Sequence, residues 1–245
     1  MELQIDFVNE PPIMLGEGAF GTTYLMKTRG GELYAVKTLR SIEEKYVRKA
    51  KQEAEKMMKL QSKFVADCKG YFIKNQHVNI VMEYCPFDNL SKLISVCHEN
   101  GEQLSDELFW RLASEIGRAL DYIHKQNAVH RDIKPDNILL TEGQHFKLVD
   151  FGNALIMEDG NKSAMSFAGT QPFLCPEMIK SERYGVEADL WSFGVTLYFV
   201  GEQRLPFPAD NSKLLFEEIQ NEPPAPFEMI QDPQKQELIL GLLNK

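Results

Sequence analysis

Several features that identify common classes of protein are scarce in this 245-residue sequence. Its four cysteines are scattered, without a CxxC pair or a zinc-type histidine spacing, so they predict neither a zinc site nor a disulfide framework. Such usage is typical of a reducing compartment. No uninterrupted apolar run approaches the length of a membrane span, and the N-terminal residues lack the basic and apolar regions of a secretory signal. We therefore expect a cytoplasmic protein, with the nucleus as the alternative, and no membrane partner.

Basic side chains are also in the minority. The sequence has 27 Lys and Arg residues against 36 Asp and Glu residues, which gives a net charge of −9. Because nucleic-acid binding depends on clustered Lys and Arg, we expect no nucleic-acid partner. The hydrophobic fraction is 43%, and no repeat or low-complexity segment occurs, which excludes a disordered or fibrous chain. A globular protein with a sizeable core remains.

Hydrophobic patterning divides the chain into a β-rich part and a helical part. Alternating residues around glycine turns predict strands, and apolar residues at helical spacing predict helices. The fold class that we predict is α+β, with a small antiparallel β lobe carrying one helix (residues 1–84) and a larger, mainly helical lobe (residues 85–245). The predicted strands lie within 13–39, 69–74 and 77–84, and the predicted helices cover 42–60, 105–126, 186–200, 211–221 and 233–244.

The glycine-rich stretch GEGAFG at 16–21 is followed by the β-type stretch TTYLMK. A dinucleotide-binding loop would instead lead into a helix N-terminus. Because glycine lets backbone N–H groups approach phosphate oxygens, a hairpin lying over a triphosphate is one interpretation. A glycine-rich hairpin without a ligand is the other, and this stretch alone does not separate them.

Lys37 lies in YAVK, where a lysine between apolar strand residues is usually just solvated. A functional role for Lys37 is indicated only if a carboxylate lies nearby. The following helix offers two candidates, Glu53 and Glu55. Glu53 shares its helical face with Met57 and Leu60, so we expect it to point inward, whereas Glu55 lies on the polar face. We predict a Lys37–Glu53 ion pair that would hold the ammonium group for phosphate binding.

The densest polar stretch is HRDIKPDNILL at 130–140, followed by KLVDFG. Asn137 and Asp150 offer hard oxygen donors on neighbouring short strands, as suits Mg2+ shared with phosphates. Asp132, close to Lys134, can accept a hydroxyl proton as attack begins. A charged loop with internal salt bridges is the alternative, but the order and spacing favour phosphoryl transfer.

These motifs, in this order, resemble the eukaryotic protein kinase family: GEGAFG, YAVK, a helical glutamate, HRDIKPDN, DFG, GT…CPE and DLWSFG. The motifs span residues 16–194. The resemblance implies a bilobal protein-kinase-like fold and a transferase that uses ATP and Mg2+. Lys134 in HRDIKPDN and Thr170 in GTQPF are typical of the serine/threonine branch.

The resemblance also implies catalytic roles for individual residues. Asp132 would be the catalytic base, and Lys134 would stabilise the γ-phosphate during transfer. Lys37, paired with Glu53, would bind the α- and β-phosphates. Thr170 would contact both the base and the lysine of the catalytic loop.

Ligand contacts are implied by the same resemblance. Asn137 and Asp150 would hold Mg2+, and the adenine would lie against apolar side chains and bond the backbone after the gatekeeper position. A buried stack, formed by Met57, Cys68, His130 and Phe151, would rest on Asp189. The residues expected to contact ATP, besides Lys37, are Gly16, Glu17, Gly18, Gly21, Thr23, Ala35, Met82, Glu83, Cys85 and Leu139.

The sequence departs from the family pattern at a few positions. Thr23 stands where Val is usual, Asn153 follows DFG where Leu, Phe or a small residue is common, and Cys175 replaces Ala. Glu177 would normally pair with an arginine near the last C-terminal helix, which the sequence does not reach. Either the sequence stops short of that arginine or the protein manages without the pair, and in the second case we expect Glu177 to have another partner or water.

Two other functions are alternatives to an active kinase. A pseudokinase acting as a nucleotide-binding scaffold or allosteric partner would usually lack one of Lys37, Asp132, Asn137 and Asp150, and all four are present. A small-molecule kinase is disfavoured because the GT…PE segment serves as a peptide platform in the family. We therefore expect protein substrates, with activation either by an upstream kinase or by autophosphorylation.

The segment AMSFAGTQPFLCPE is expected to carry the activating phosphosite. Arg131, next to the base, would bind a phosphate on this segment. Ser166 lies where the family's phosphosite falls, and Ser163 is the alternative. We predict that Ser166→Ala lowers the rate at which labelled phosphate is transferred to a protein substrate. An unchanged rate would rule out Ser166 as the switch.

Overall fold

The computed structural model describes residues 3–8, 10–18, 21–39, 43–157, 164 and 168–245. The chain forms two compact units, residues 1–87 and 88–245, whereas the sequence pattern placed the junction after residue 84. The first unit is a sheet with one helix and the second is mainly helical, so the predicted α+β fold class is confirmed.

The first unit is built on a five-stranded antiparallel sheet in the order β1-β2-β3-β5-β4. One helix, α1, packs on β4 and β5 and buries its apolar face, which includes Ala54 and Met57. The elements are β1 (Ile13–Gly18), β2 (Gly21–Lys27), β3 (Leu33–Leu39), α1 (Glu44–Lys59), β4 (Cys68–Lys74) and β5 (His77–Glu83).

The second unit contains six helices and two small antiparallel β pairs within its described residues. The β pairs join β6 to β9 and β7 to β8. The elements are α2 (Leu90–Glu99), α3 (Asp106–Lys125), β6 (Ala128–Val129), β7 (Ile138–Leu140), β8 (Phe146–Leu148), β9 (Leu155–Ile156), α4 (Pro176–Ile179), α5 (Glu187–Glu202), α6 (Ser212–Asn221) and α7 (Pro233–Leu242).

Side-chain caps explain where several of these helices begin. The Ser105 side chain accepts a hydrogen bond from the Leu108 N–H at the start of α3, where the sequence predicted a cap. Asn89 accepts one from the Lys92 N–H at the start of α2, a helix that the sequence analysis did not predict. None of the described helices combines the length and apolarity that crossing a membrane requires.

Helix α5 is the buried centre of the second unit. Most of its side chains are buried, including Trp191, Val195 and Tyr198, which confirms the predicted core helix. It packs closely on α7, where a Cβ added to Gly194 would lie 2.8 Å from the Leu242 Cβ. Burial is costly for a charged group without partners. The buried Trp191 Nε1 has no partner among the described residues, whereas Asp189 in this core is hydrogen-bonded by the protein itself.

The last residue of α5, Glu202, is an example. Its carboxylate is buried and accepts backbone hydrogen bonds from Glu228, Met229 and Ile230, at 2.9, 3.0 and 2.8 Å. These three N–H groups belong to the segment before α7. Glu202 therefore fixes the path of that segment under the helix.

We predict that Glu202→Ala lowers the free energy of unfolding by on the order of 3 kcal/mol, because it leaves buried N–H groups without an acceptor. The measurement is denaturant unfolding followed by tryptophan fluorescence. Glu187→Ala, an exposed position in the same helix, is the control and should change stability by less than about 1 kcal/mol. Equal midpoints for the two variants would show that Glu202 does not hold the segment.

Candidate active site

The sheet of the first unit brings four of the predicted nucleotide-binding residues to one face. Ala35 and Lys37 are two residues apart on β3, so their side chains point to the same side. Thr23 on β2 lies directly opposite Lys37, and Met82 on β5 lies directly opposite Ala35. Directly paired residues share a face, so the sheet aligns these side chains before any ligand binds.

The expected ion pair is present on this side of the first unit. The Lys37 Nζ lies 2.8 Å from the Glu53 Oε1, and the two side chains are only 13% and 8% exposed. Glu53 is buried with the apolar face of α1, while Glu55 is exposed, as helical spacing predicted. The pair fixes the position of the ammonium group relative to the sheet.

The glycines of the loop differ in what the protein itself requires of them. A Cβ added to Gly21 would lie 2.3 Å from the Thr38 backbone oxygen, so strand packing alone explains this glycine. A Cβ added to Gly16 would meet nothing within 4 Å, so packing does not demand a glycine there. Gly18 pairs with Gly21 across the hairpin, next to Glu17. Of these glycines, Gly16 is the one that a ligand would best explain.

The other predicted adenine contacts lie in separate parts of the chain. The Glu83 N–H donates to the Asp67 backbone oxygen at 2.8 Å, so this N–H is not available to a ligand. Cys85 is buried in the first unit. Leu139 belongs to the second unit, where it forms a β-bridge with Asn89 and is half-buried.

In the second unit, the loop that carries Asp132 is held by Asp189 of α5. The Asp189 carboxylate is fully buried and accepts hydrogen bonds from the backbone N–H groups of His130 and Arg131, at 2.8 and 2.7 Å. It also contacts the Nε2 atom of His124 at 2.8 Å. The carboxylate thus fixes the backbone immediately before the expected base.

His130 adds a second set of contacts to this loop. Its Nδ1 accepts from the Asp132 N–H at 3.3 Å, and its Nε2 lies 2.9 Å from the Val149 backbone oxygen. An Nε2-protonated ring satisfies both contacts. The ring also packs edge-on against Phe151, with centroids 4.8 Å apart, so two members of the expected buried stack meet within this unit.

The Asp132 carboxylate is the centre of a polar cluster. Its Oδ1 accepts from the Thr170 hydroxyl at 2.8 Å. Its Oδ2 lies 3.2 Å from the Asn137 Nδ2, 3.2 Å from the Lys134 Nζ and 3.5 Å from the Asn153 Nδ2. Lys134 also donates to the Thr170 oxygen at 2.6 Å. The structure therefore brings together the expected base, lysine and threonine.

The two expected metal ligands are joined by the β7–β8 pair. The Val149 N–H donates to the Asn137 backbone oxygen at 3.0 Å, and Asp150 follows directly. The Asn137 amide nitrogen donates to the Asp132 backbone oxygen at 2.8 Å, which leaves the amide oxygen to act as a ligand. An amide oxygen and a carboxylate are oxygen donors of the kind that Mg2+ prefers, so the residues present fit this ion.

The expected regulatory residues fall into two groups. Ser163 and Ser166 lie outside the described residues, so their assignment stays a prediction. Arg131 is described: its Nε donates to the Asn153 backbone oxygen at 2.7 Å, and its Nη1 donates to the Tyr184 hydroxyl at 3.2 Å. The guanidinium group is therefore already bound to two neighbouring segments.

Cys175, which replaces the family's alanine, is the residue just before α4. It is almost fully buried, and this burial raises the pKa of its thiol to about 12, with a smaller upward contribution from a hydrogen bond to the Glu177 side chain. The thiol is therefore uncharged at neutral pH, and it is a poor nucleophile.

Sequence reasoning missed Gly169 and Tyr184. Gly169 has a positive φ of 113°, and an added Cβ would lie 2.6 Å from the Arg131 backbone oxygen. The signal that could have revealed it is its place just before Thr170, where a close approach to the catalytic loop must be made. Tyr184 carries no comparable signal, because its partner Arg131 is remote in sequence.

We predict that Gly169→Ala lowers the thermal midpoint of unfolding by about 2 to 8 °C, because alanine is strained at this φ and its Cβ meets the Arg131 carbonyl. The control is Gly117→Ala in α3, where an added Cβ meets nothing within 4 Å. Since alanine favours a helix over glycine, Gly117→Ala should keep or raise the midpoint. A Gly169→Ala protein as stable as the wild type would contradict the close approach.

Comparison with known proteins gives one family. The family model described as "Protein kinase domain" matches residues 12–244. The chain is 32% identical to the MAP kinase kinase MKK1/SSP32 of Saccharomyces cerevisiae over 206 residues. This alignment covers 82% of the chain and 40% of the relative. Over 236 residues the chain is 30% identical to the serine/threonine-protein kinase Nek6 of Oryza sativa, covering 94% of this chain and 43% of the relative.

A third relative is the cAMP-dependent protein kinase type 3 of Saccharomyces cerevisiae, 30% identical over 84% of this chain and 51% of the relative. The chain thus spans about half the length, or less, of these curated relatives. The residues matched by the family model include the Lys37–Glu53 pair and the Asp132 cluster. The chain belongs to the protein kinase family, on the serine/threonine side.

Proposed function

We propose that this chain is the catalytic domain of a serine/threonine protein kinase, which transfers the γ-phosphoryl group of ATP to hydroxyl groups of protein substrates. The observation that carries the proposal is the Asp132 cluster, in which one carboxylate is oriented by Thr170, Asn137 and Lys134. A lone charged loop would not need a buried carboxylate with this many donors. Relatives named as serine/threonine and MAP kinase kinases support the same reaction class.

Asp132 is the catalytic base in this proposal. A carboxylate has about four acceptor sites. The side-chain nitrogens of Asn137, Lys134 and Asn153 lie next to Oδ2, whereas Oδ1 accepts only the Thr170 hydroxyl among the contacts described above. An acceptor site on Oδ1 is therefore the one to receive the proton of the substrate hydroxyl. The substrate oxygen forms a bond to the γ-phosphorus, the bond from that phosphorus to the β–γ bridging oxygen breaks, and ADP leaves.

The remaining residues position the phosphates and neutralise charge. Lys134 lies beside the base and would neutralise negative charge on the transferred phosphoryl group. Thr170 is hydrogen-bonded to both the lysine and the base, so it fixes their relative position. Lys37, held by Glu53, would bind the α- and β-phosphates. Asn137 and Asp150 would hold Mg2+, which neutralises phosphate charge when it is bound.

Regulation and partners belong to the same proposal. The protein substrate would approach along the segment after Thr170, and an upstream kinase would phosphorylate Ser166. The guanidinium of Arg131, which lies next to the base in the chain, is the cation that would bind this phosphate. Some relatives are named MAP kinase kinase, which is a name for a kinase that acts on another kinase. An upstream kinase is therefore a partner to test for this chain.

We predict that Asp132→Asn lowers the rate of phosphotransfer by a factor of about 100 to 10,000, because it removes the proton acceptor. The assay follows labelled γ-phosphate from Mg-ATP into a mixture of basic and acidic test proteins. The wild-type protein is used with and without co-expression of candidate upstream kinases. Binding of Mg-ATP, measured by the shift in thermal midpoint, should persist in the variant.

Asp121→Asn is the matched control, since Asp121 is an exposed α3 residue that pairs with Lys125 across one helical turn. It should transfer phosphate at the wild-type rate. Absence of transfer by the wild-type protein under all of these conditions, with Mg-ATP binding intact, would overturn the proposal in favour of a nucleotide-binding scaffold.

A further inference from the structure

Tyr184 joins two segments that the chain separates widely. It lies between α4 and α5 and is only 5% exposed. Its backbone pairs with Ala164 in both directions, through bonds of 2.7 Å from the Ala164 N–H and 3.1 Å from the Tyr184 N–H. Ala164 is thus held to Tyr184 by backbone pairing.

The side chain of Tyr184 makes a different connection. Its hydroxyl accepts a hydrogen bond from the Arg131 Nη1 at 3.2 Å, while the Arg131 Nε donates to the Asn153 backbone oxygen at 2.7 Å. A guanidinium group is planar and rigid, so two bonds to different segments fix its orientation. Arg131 therefore links the catalytic loop, the turn after Asp150 and Tyr184.

The backbone at Arg131 needs such support. Its φ is +68°, a left-handed conformation that is unfavourable for a residue with a Cβ. Conformations of this kind persist only where surrounding contacts define them. Asp189 holds the Arg131 backbone N–H, and Tyr184 and Asn153 hold the side chain. The next residue is Asp132, so the direction of its carboxylate depends on the conformation at Arg131.

We propose that Tyr184 is a positioning residue for phosphotransfer: its hydroxyl holds Arg131, and through Arg131 it sets the orientation of Asp132. Its backbone pairing with Ala164 couples this orientation to the position of Ala164. The kinetic part of the inference rests on the proposed kinase activity. Its structural part, the ordering of the catalytic loop, is independent of that activity and is measured separately below.

The test removes the hydroxyl and leaves the ring. Tyr184→Phe should lower kcat about tenfold, the loss expected for one hydrogen bond to a charged group, while the KM for ATP stays within about twofold. Tyr198→Phe is the matched control in the same unit. Its hydroxyl donates to the backbone oxygens of Ala225 and Pro226, at 3.0 and 3.3 Å, away from the catalytic loop. This control should keep the wild-type kcat even if its thermal midpoint falls.

A second measurement does not depend on activity. Amide hydrogen exchange of residues 128–134 reports how often the catalytic loop opens. Exchange there should be about tenfold faster in Tyr184→Phe than in the wild type and unchanged in Tyr198→Phe. If the wild type transfers no phosphate, the proposed function fails, and faster exchange in Tyr184→Phe would still support the positioning role of Tyr184.

Two results would overturn the inference. The first is a Tyr184→Phe protein with the kcat and the loop exchange of the wild type. The second is a Tyr184→Phe protein that loses thermal stability as Tyr198→Phe does, while its kcat per folded molecule and its loop exchange are unchanged. That second result would assign the Tyr184 hydroxyl to stability alone.

Discussion

The buried Asp189 carboxylate is the contact on which the candidate site depends most. A carboxylate inside a protein is costly unless hydrogen bonds replace its water, and Asp189 receives backbone N–H groups from His130 and Arg131 as well as the ring of His124. These bonds satisfy the carboxylate and at the same time hold Arg131 in its left-handed conformation. The direction of Asp132 follows from that backbone, so the core helix α5 determines the geometry of the proposed base.

From this fixed point the site is assembled by contacts between short segments. The His130 ring contacts the Val149 backbone oxygen, and the Thr170 hydroxyl donates a hydrogen bond to Asp132. Gly169 allows the second approach, because any Cβ there would collide with the Arg131 carbonyl. The polar cluster therefore has its donors in place through the protein's own hydrogen bonds, as preorganised electrostatic stabilisation requires.

The sequence could predict those parts of the structure that rest on local periodicity. Helical spacing placed Glu53 on the buried face of α1 and described α5 as a core helix, because burial repeats with the helix period. The short strands beside Asn137 and Asp150 were expected from the motifs rather than from alternation, which they are too short to show. Strand β9 and the positive φ values at Arg131 and Asp150, which tertiary contacts impose, could not be predicted. The role of Tyr184 could not be predicted for the same reason, because its partner Arg131 is remote in the chain.

The Lys37–Glu53 pair shows why the site residues are better explained by function than by stability. Both side chains are largely buried, and a buried ion pair usually contributes little to stability, because desolvation offsets the attraction between the charges. An apolar pair of similar size would stabilise the first unit at least as well. What the ion pair provides is an ammonium group held at one place beside Thr23 and Ala35, on the sheet face that carries the residues proposed to bind the nucleotide. A fixed positive charge does not improve packing, but it can bind phosphate groups. This favours a role of the pair in the proposed catalysis over a role in stability.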